Sequence, residues 1–372
     1  MRKSPTVAFI LHHLSVSEFS ANKFLYHPCE LIIESFLKIL NDKKKRSFYT
    51  NLPPHVLFVA RDEQFSSEHI RVIGVMCPVF PKEFIVEKTA SNKKLRRAIT
   101  LAKNKGADIV VLTGFTAIAS DQGRIFGEEF KDLIITTGNS LTAALCVEGI
   151  NKSSDLLGVG INKSTITIIG ASGDVGSACS RYFLMKARQL ILCSRSLTDD
   201  SPIVKELKLT VHKNRVTVEP NVKKAIARSN IVIFCTSSYT FLATKEDFSP
   251  FTIIADVSLP HNIPDDLTVR KDIFVFDAGK AKFSPEPRNF QMKRMTIDGT
   301  SIFGCIAEGI VLTVSQNGIL PNLGRGKIGV EEIQRVWEKA RKAGFHLSDF
   351  GFYNKKYSHE EIENYRRVFN RG

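Results

Sequence analysis

The stretch Ile168-Ile169-Gly170-Ala171-Ser172-Gly173-Asp174-Val175-Gly176-Ser177 decides the fold. It closes an apolar strand and opens a helix. In such a turn the first glycine lets the chain leave the strand sharply. The second lets the backbone approach a pyrophosphate, and the third lets the helix pack close on the sheet. The helix N-terminus supplies N–H donors and the positive end of a dipole. The spacing is GxxGxxG rather than GxGxxG. A ligand-free βα turn can have the same composition, so the weight comes from what lies on either side.

Downstream, strands are expected at Thr165–Ile169, Gln189–Cys193, Arg215–Val218, Ile231–Cys235, Thr252–Val257 and Ile273–Phe276, separated by helical or turn segments. Regular alternation of β and α elements implies a parallel, doubly wound sheet. Six strands over about 110 residues is the size of a dinucleotide-binding domain. A buried helix is expected to begin near Ser301–Gly304, and a polar helix to run from about Gly329 to Gly344. Upstream the chain reads as mixed α/β. Short strands are expected at 56–60 and 71–75, a basic amphipathic helix at 92–105 and a buried strand at 108–112. A helix from about Ser140 to Asn151 follows the turn Thr136-Thr137-Gly138-Asn139. The expected class is α/β with two domains. Residues 1–150 form a mixed α/β substrate domain and residues 151–320 a doubly wound Rossmann-type NADP-binding domain. A helical tail, 321–372, is expected to pack back on the first domain.

The composition narrows the partners. The 372 residues are 43% hydrophobic and 24% charged, which is ordinary globular usage. Against 38 Asp+Glu stand 52 Lys+Arg, a net charge of +14, which favours acidic partners: nucleic acid, an anionic membrane surface, a phosphate-bearing cofactor or an acidic protein. No recognition-helix motif or basic–aromatic stacking pattern supports nucleic acid. No apolar run approaches the roughly 18–20 residues that cross a bilayer, and the one at the N-terminus is too short for a signal peptide. The seven cysteines, Cys29, Cys77, Cys146, Cys179, Cys193, Cys235 and Cys305, are scattered singly without zinc spacing. They imply a reducing cytoplasm and no metal site.

The second strand of the dinucleotide domain selects the cofactor. An NAD-specific domain usually carries Asp or Glu there, about 20 residues past the loop, for the ribose hydroxyls. This chain has Cys193-Ser194-Arg195-Ser196. Arg195, between two hydroxyls, can take a 2′-phosphate, so NADPH is expected. The cofactor set is Gly170, Ser172, Gly173, Asp174, Val175, Gly176, Ser194, Arg195 and Ser196. Thr236 and Ser237 join it on the nicotinamide side, because they follow the next strong strand at the carboxyl edge of the sheet.

Cys305 differs from the other cysteines. It falls beside Gly304 near the start of an apolar helix, and a helix N-terminus stabilises a thiolate. On the residues alone a buried, inert thiol is the commoner state. Glu308, three residues on, shares its helix face and can tune the thiol or simply pack. Asn139 can bind a substrate carbonyl or position the cofactor, or it can serve turn chemistry with Gly138. His13 reads as structural, and nothing local singles out His261 as a proton donor.

Several blocks in order resemble the long-chain fatty acyl-[acyl-carrier-protein] reductases best known from cyanobacteria. They are Phe9-Ile10-Leu11-His12-His13-Leu14, Leu112-Thr113-Gly114-Phe115-Thr116-Ala117-Ile118, Thr136-Thr137-Gly138-Asn139-Ser140-Leu141-Thr142-Ala143, Gly170–Ser177, Phe303-Gly304-Cys305-Ile306-Ala307-Glu308 and Gly324-Arg325-Gly326. The resemblance implies that Cys305 attacks an acyl thioester and that NADPH reduces the acyl-enzyme to an aldehyde. It implies an acyl-carrier protein or acyl-CoA as substrate. Carrier proteins are typically acidic, which gives the positive charge a use and leaves peripheral membrane contact open. Asp256-Val257-Ser258-Leu259-Pro260-His261-Asn262 and Asp277-Ala278-Gly279-Lys280 depart from the family pattern, and residues 40–95 show little match. Two other readings fit the order of domains: a shikimate-dehydrogenase-like NADP oxidoreductase acting on a small alcohol or ketone without covalent capture, and a non-catalytic NADP-binding regulator.

Overall fold

The structure, a computed structural model, describes residues 4–16, 40–65, 68–283, 300–315, 321–353 and 355–371, without the side chains of 62–64 and 213. It divides into two compact units. Among the described residues, the first comprises those up to Gly138 and from Gly309 to Gly324, and the second those from Asn139 to Glu308 and from Arg325 onward.

The first unit is built on a five-stranded sheet. Its strands are β1 (Thr6–Leu11), β2 (His55–Phe65), β3 (Glu68–Met76), β4 (Ile109–Leu112) and β5 (Ile134–Thr136), in the order β2-β3-β1-β4-β5. All neighbours are parallel except β2 and β3. The central β1 was not expected from the sequence. Its side chains from Thr6 to Ile10 are all buried, so it reads as an apolar run without alternation. β5 is only three residues long, too short to show a period. The expected basic helix is α3 (Lys88–Asn104), following α1 (Asp42–Asn51) and α2 (Pro81–Val86). It lays Leu95, Ala98, Ile99 and Ala102 into a core with Ile73, Val75, Val110 and Leu112. Two short helices, α4 (Phe115–Ala119) and α5 (Arg124–Glu129), follow β4.

The second unit begins with α6 (Asn139–Leu157) and contains a six-stranded, wholly parallel sheet. Its strands are β6 (Thr165–Ile169), β7 (Gln189–Cys193), β8 (Val216–Val218), β9 (Ile231–Phe234), β10 (Thr252–Asp256) and β11 (Ile273–Asp277). The order β11-β10-β9-β6-β7-β8 is the doubly wound Rossmann arrangement, with the topological reversal between β6 and β9. Helix α7 (Asp174–Leu184) leaves β6 at the glycine loop, and α8 (Pro202–Thr210) and α9 (Val222–Ile226) follow β7 and β8. The chain is therefore α/β with two units, as expected.

The division differs from the sequence reading in two respects. The boundary falls at Gly138/Asn139 rather than near 150, because α6 packs with the Rossmann sheet and α7. The segment 325–372 joins the second unit, not the first. Its helix α11 (Val330–Lys342) packs on α6, and its strand β14 (Phe345–Leu347) pairs with β12 (Lys280–Phe283), which also pairs with β13 (Ser301–Phe303). The helix expected from about Ser301 is preceded by β13 and runs as α10 (Gly304–Val314). A last helix, α12 (His359–Phe369), starts at a capping box of Ser358 and Glu361.

Candidate active site

At the end of β6 the chain turns at Gly170, whose φ is +92°, and its N–H donates to the Cys193 carbonyl at 2.8 Å. A Cβ there would lie 2.4 Å from the carbonyl oxygen of Cys235 at the end of β9. The first glycine is thus demanded by the close approach of two strand ends. A Cβ at Gly176 would lie 2.3 Å from the Gly170 oxygen, so the third glycine is demanded by helix-to-loop contact. At Gly173 a Cβ would meet only the Gly170 oxygen, at 3.3 Å. That position opens on the N-terminus of the eleven-residue α7. Backbone there can approach a pyrophosphate, so the loop fits a dinucleotide.

Ser172 and Ser194 bring the loop and the end of β7 together, with their hydroxyl oxygens 3.0 Å apart. Arg195 and Ser196 follow, both exposed. The structure adds a residue that the sequence reading quoted only as part of a C-terminal block. Arg325 Nε donates to the Ser172 carbonyl at 2.8 Å, and its Nη2 to the Ser172 hydroxyl at 3.2 Å. The next residue, Gly326, donates its N–H to Asp174 Oδ1 at 2.6 Å, and Asn139 Nδ2 donates to Asp174 Oδ2 at 3.2 Å. Asp174, 4% exposed, therefore ties the loop to α6 and to the 325–326 turn with both carboxylate oxygens. Val175 is half-buried in the first turn of α7.

At the end of β9, Thr236 N–H donates to Ser258 Oγ at 3.1 Å, and Thr236 Oγ1 donates to Asn262 Oδ1 at 2.6 Å. Ser237 is exposed beside it. This edge belongs to a buried network that the sequence did not reveal. Asp256, at the end of β10 and 1% exposed, accepts from the Ser258 and Asn262 N–H groups at 2.8 and 3.1 Å. His261 has Nδ1 3.3 Å from Asp256 Oδ2 and Nε2 3.3 Å from Asp277 Oδ1. Asp277, at the end of β11, pairs through Oδ2 with Lys280 Nζ at 2.6 Å. The His261 ring packs against Phe352 and Tyr353. Burial, with Asp265, Asp256 and Asp277 adding to it, pushes the Tyr353 phenol up to about 12. The two segments departing from the reductase pattern, 256–262 and 277–280, are the ones that meet here. Their departure was the available signal.

Cys305 is the second residue of α10 and half-buried. Gly304 N–H donates to the Gly279 carbonyl at 2.8 Å, and a Cβ on Gly304 would lie 2.8 Å from Thr142 Cα. Only glycine allows this approach, which fixes the backbone entering Cys305. Burial raises Cys77 and Cys193 to about 12. Cys146 is raised well above the ordinary range, first by its hydrogen bond with Cys179, and Cys235 by burial. Cys29 lies outside the described residues. Glu308, 2% exposed, turns away to α6, where its Oε2 accepts the Leu141 N–H at 2.8 Å. Ser140 Oγ donates to Glu332 Oε1 at 2.5 Å. Two carboxylates thus serve the first turn of α6, where orphan N–H groups and the positive dipole end favour them.

In the first unit, His12 Nε2 accepts from the Phe115 N–H at 3.2 Å while Nδ1 lies 3.2 Å from the His13 carbonyl. His13 lies against the Tyr49 ring. Burial holds both imidazoles at about 4.

Comparison with known proteins agrees with the Rossmann geometry. The shikimate / quinate 5-dehydrogenase family matches residues 153–279. The chain is similar to the aminotransferase PigE of Serratia sp. (strain ATCC 39006), 23% identical over 365 residues that cover 93% of this chain and 42% of that protein. It is also similar to the long-chain acyl-[acyl-carrier-protein] reductase of Synechococcus elongatus, 24% identical over 269 residues covering 69% and 76%. The chain thus spans less than half the length of the PigE protein. Among solved structures, L-tryptophan dehydrogenase of Nostoc punctiforme aligns over 99% of this chain and 90% of its own, with 10% identity and a TM-score of 0.36. Topology, glycine loop and family match define the class of the second unit: a Rossmann-type dinucleotide fold of the kind the shikimate / quinate 5-dehydrogenase family model describes. No helix among the described residues is long and apolar enough to cross a membrane.

Proposed function

We propose that this protein is an NADPH-dependent acyl-thioester reductase that forms a fatty aldehyde through a Cys305 acyl-enzyme. The observation that carries the reading is the contrast among thiols. Among the described cysteines, Cys305 alone lies in the first turn of a helix, on backbone fixed by Gly304, and burial disfavours the thiolates of Cys77, Cys193 and Cys235. The similarity to the Synechococcus reductase supports the substrate class. Cys305 Sγ attacks the acyl carbonyl and the carrier thiol leaves with the proton from Cys305. Covalent capture splits the reaction and holds the carbonyl in place. Bound NADPH would supply the hydride that converts the acyl group to aldehyde as the bond to Sγ breaks. The loop 170–176, with Ser194, Arg195, Ser196, Thr236 and Ser237, would hold that cofactor, and Asn139 would steady the loop through Asp174.

On this reading the first unit carries the acyl chain, the substrate is an acyl-carrier protein or acyl-CoA, and the enzyme works in the cytoplasm. Intact mass after incubation with acyl thioester, without NADPH, should show an acyl adduct on the Cys305 peptide. Cys305→Ala should lose the adduct and at least about 1,000-fold of aldehyde formation, with NADPH binding retained. Undiminished turnover in that variant would overturn the mechanism. The family match over 153–279 favours a second reading, an alcohol or ketone oxidoreductase without covalent capture. Activity on such a substrate that survives thiol alkylation would select it.

A further inference from the structure

Arg325 is presented in an unusual way. It stands between Gly324 and Gly326, whose φ angles are +102° and +72°, a path that side-chain-bearing residues rarely follow. The Gly326 N–H is locked on Asp174 at 2.6 Å. The guanidinium is thereby delivered to Ser172, on the carbonyl at 2.8 Å and the hydroxyl at 3.2 Å. That same hydroxyl is 3.0 Å from Ser194 Oγ, and Arg195 is the next residue. Arg325 is therefore one hydroxyl away from the end of β7, where a dinucleotide domain receives the adenine ribose.

The chemistry of this corner is that of an anion site. A guanidinium has five N–H donors, and two of those on Arg325 are used on Ser172. Among the described residues no carboxylate pairs with Arg325 or Arg195. The acid in the loop, Asp174, directs both oxygens to Gly326 and Asn139. One exposed arginine and two hydroxyls thus meet here, and a second exposed arginine, Arg195, is next in the chain.

We propose that Arg325 is a second guanidinium for the cofactor's 2′-phosphate, acting beside Arg195, and so a determinant of NADPH over NADH. The inference rests on the NADPH reading above and adds a residue to it. The pyrophosphate has its own donors at the start of α7. The extra anion that distinguishes NADPH lies on the ribose, and Ser194, which the Ser172 hydroxyl joins to Arg325, stands at the end of β7 where that ribose is received.

The test is equilibrium binding to the full chain, by calorimetry, of NADPH, NADH and the probe adenosine 2′,5′-bisphosphate. Arg325→Gln should weaken NADPH and the bisphosphate by about 10–100-fold, the worth of a charge-assisted bond, and leave NADH within a factor of about 3. Arg325→Lys, which keeps the charge but loses the fork, should fall between, and a thermal melt checks that each variant is folded. Equal weakening of NADPH and NADH would make Arg325 a prop for Ser172 and overturn the proposal. An undiminished preference for NADPH in Arg325→Gln would overturn it while leaving the cofactor reading intact. If the unaltered protein binds NADH as tightly as NADPH and gains nothing from the bisphosphate over 5′-AMP, the cofactor reading itself falls.

Discussion

In the first unit, half-buried His12 and buried His13 are held at about 4 chiefly by loss of hydration. In the second, Asp256 and Asp277, at the carboxyl ends of β10 and β11, are linked through His261, and Asp277 also pairs with Lys280. The contrast shows two solutions to one cost. A group that can shed its proton does so and enters the core neutral. Groups that stay charged are buried only with partners of opposite sign and backbone donors. In a doubly wound sheet, the carboxyl edge is also where ligands bind. The second unit therefore places one of its buried clusters at this edge, while among the described residues of the first unit no Asp, Glu, Lys or Arg is fully buried.

Breaking the ionic side should have the largest effect. Asp277→Ala removes the carboxylate 2.6 Å from Lys280 Nζ, on a side chain about 10% exposed. The expected loss is about 3–5 kcal/mol of unfolding free energy in denaturant titration. The paired replacement Asp277→Leu with Lys280→Met should recover most of it. A loss below about 1 kcal/mol in the single variant would show that the cluster is effectively solvated.

The neutral side is tested by acid. The folded pKa values of about 4 lie below the ordinary 6.5. Between pH 6.5 and 4 the unfolded chain binds protons that the folded unit refuses. The contribution is present in full above pH 6.5, declines as pH falls through this window, and levels off below it. Each histidine should account for roughly 3 kcal/mol, read as falling hydrogen-exchange protection of the β1 and β4 amides. His12→Gln should flatten part of the slope. Unchanged protection from pH 7 to 4.5 would show that these imidazoles are protonated in the fold.

The smallest effect should come from Glu308→Ala. It removes the acceptor of the Leu141 N–H at the start of α6 and should cost about 1–3 kcal/mol. If Glu308 tuned the thiol instead, the variant would shift the pH dependence of Cys305 alkylation and leave the thermal midpoint in place.

The Rossmann half was legible because its signals are local. Each strand is a short apolar run, Gly173 and Gly176 answer to Gly170 within the same turn, and the missing acid after Cys193 can be read directly. The first unit was less legible. β1 is buried on both faces and β5 is three residues long, so neither carries a period. The tail was assigned to the wrong unit. Its attachment depends on β14 pairing with β12 and on α11 packing against α6, contacts between residues far apart in the chain.

By itself the sequence determined the α/β class, the glycine loop, the lack of an acid beside Arg195 and the singular context of Cys305. Only the tertiary structure decided that Arg325 reaches Ser172, that Glu308 caps α6, and that 256–262 and 277–280 close into one ionic network. The reason is physical. Propensity and periodicity act over a turn or a strand, whereas a buried charge finds its partner wherever folding brings one, at any distance along the chain.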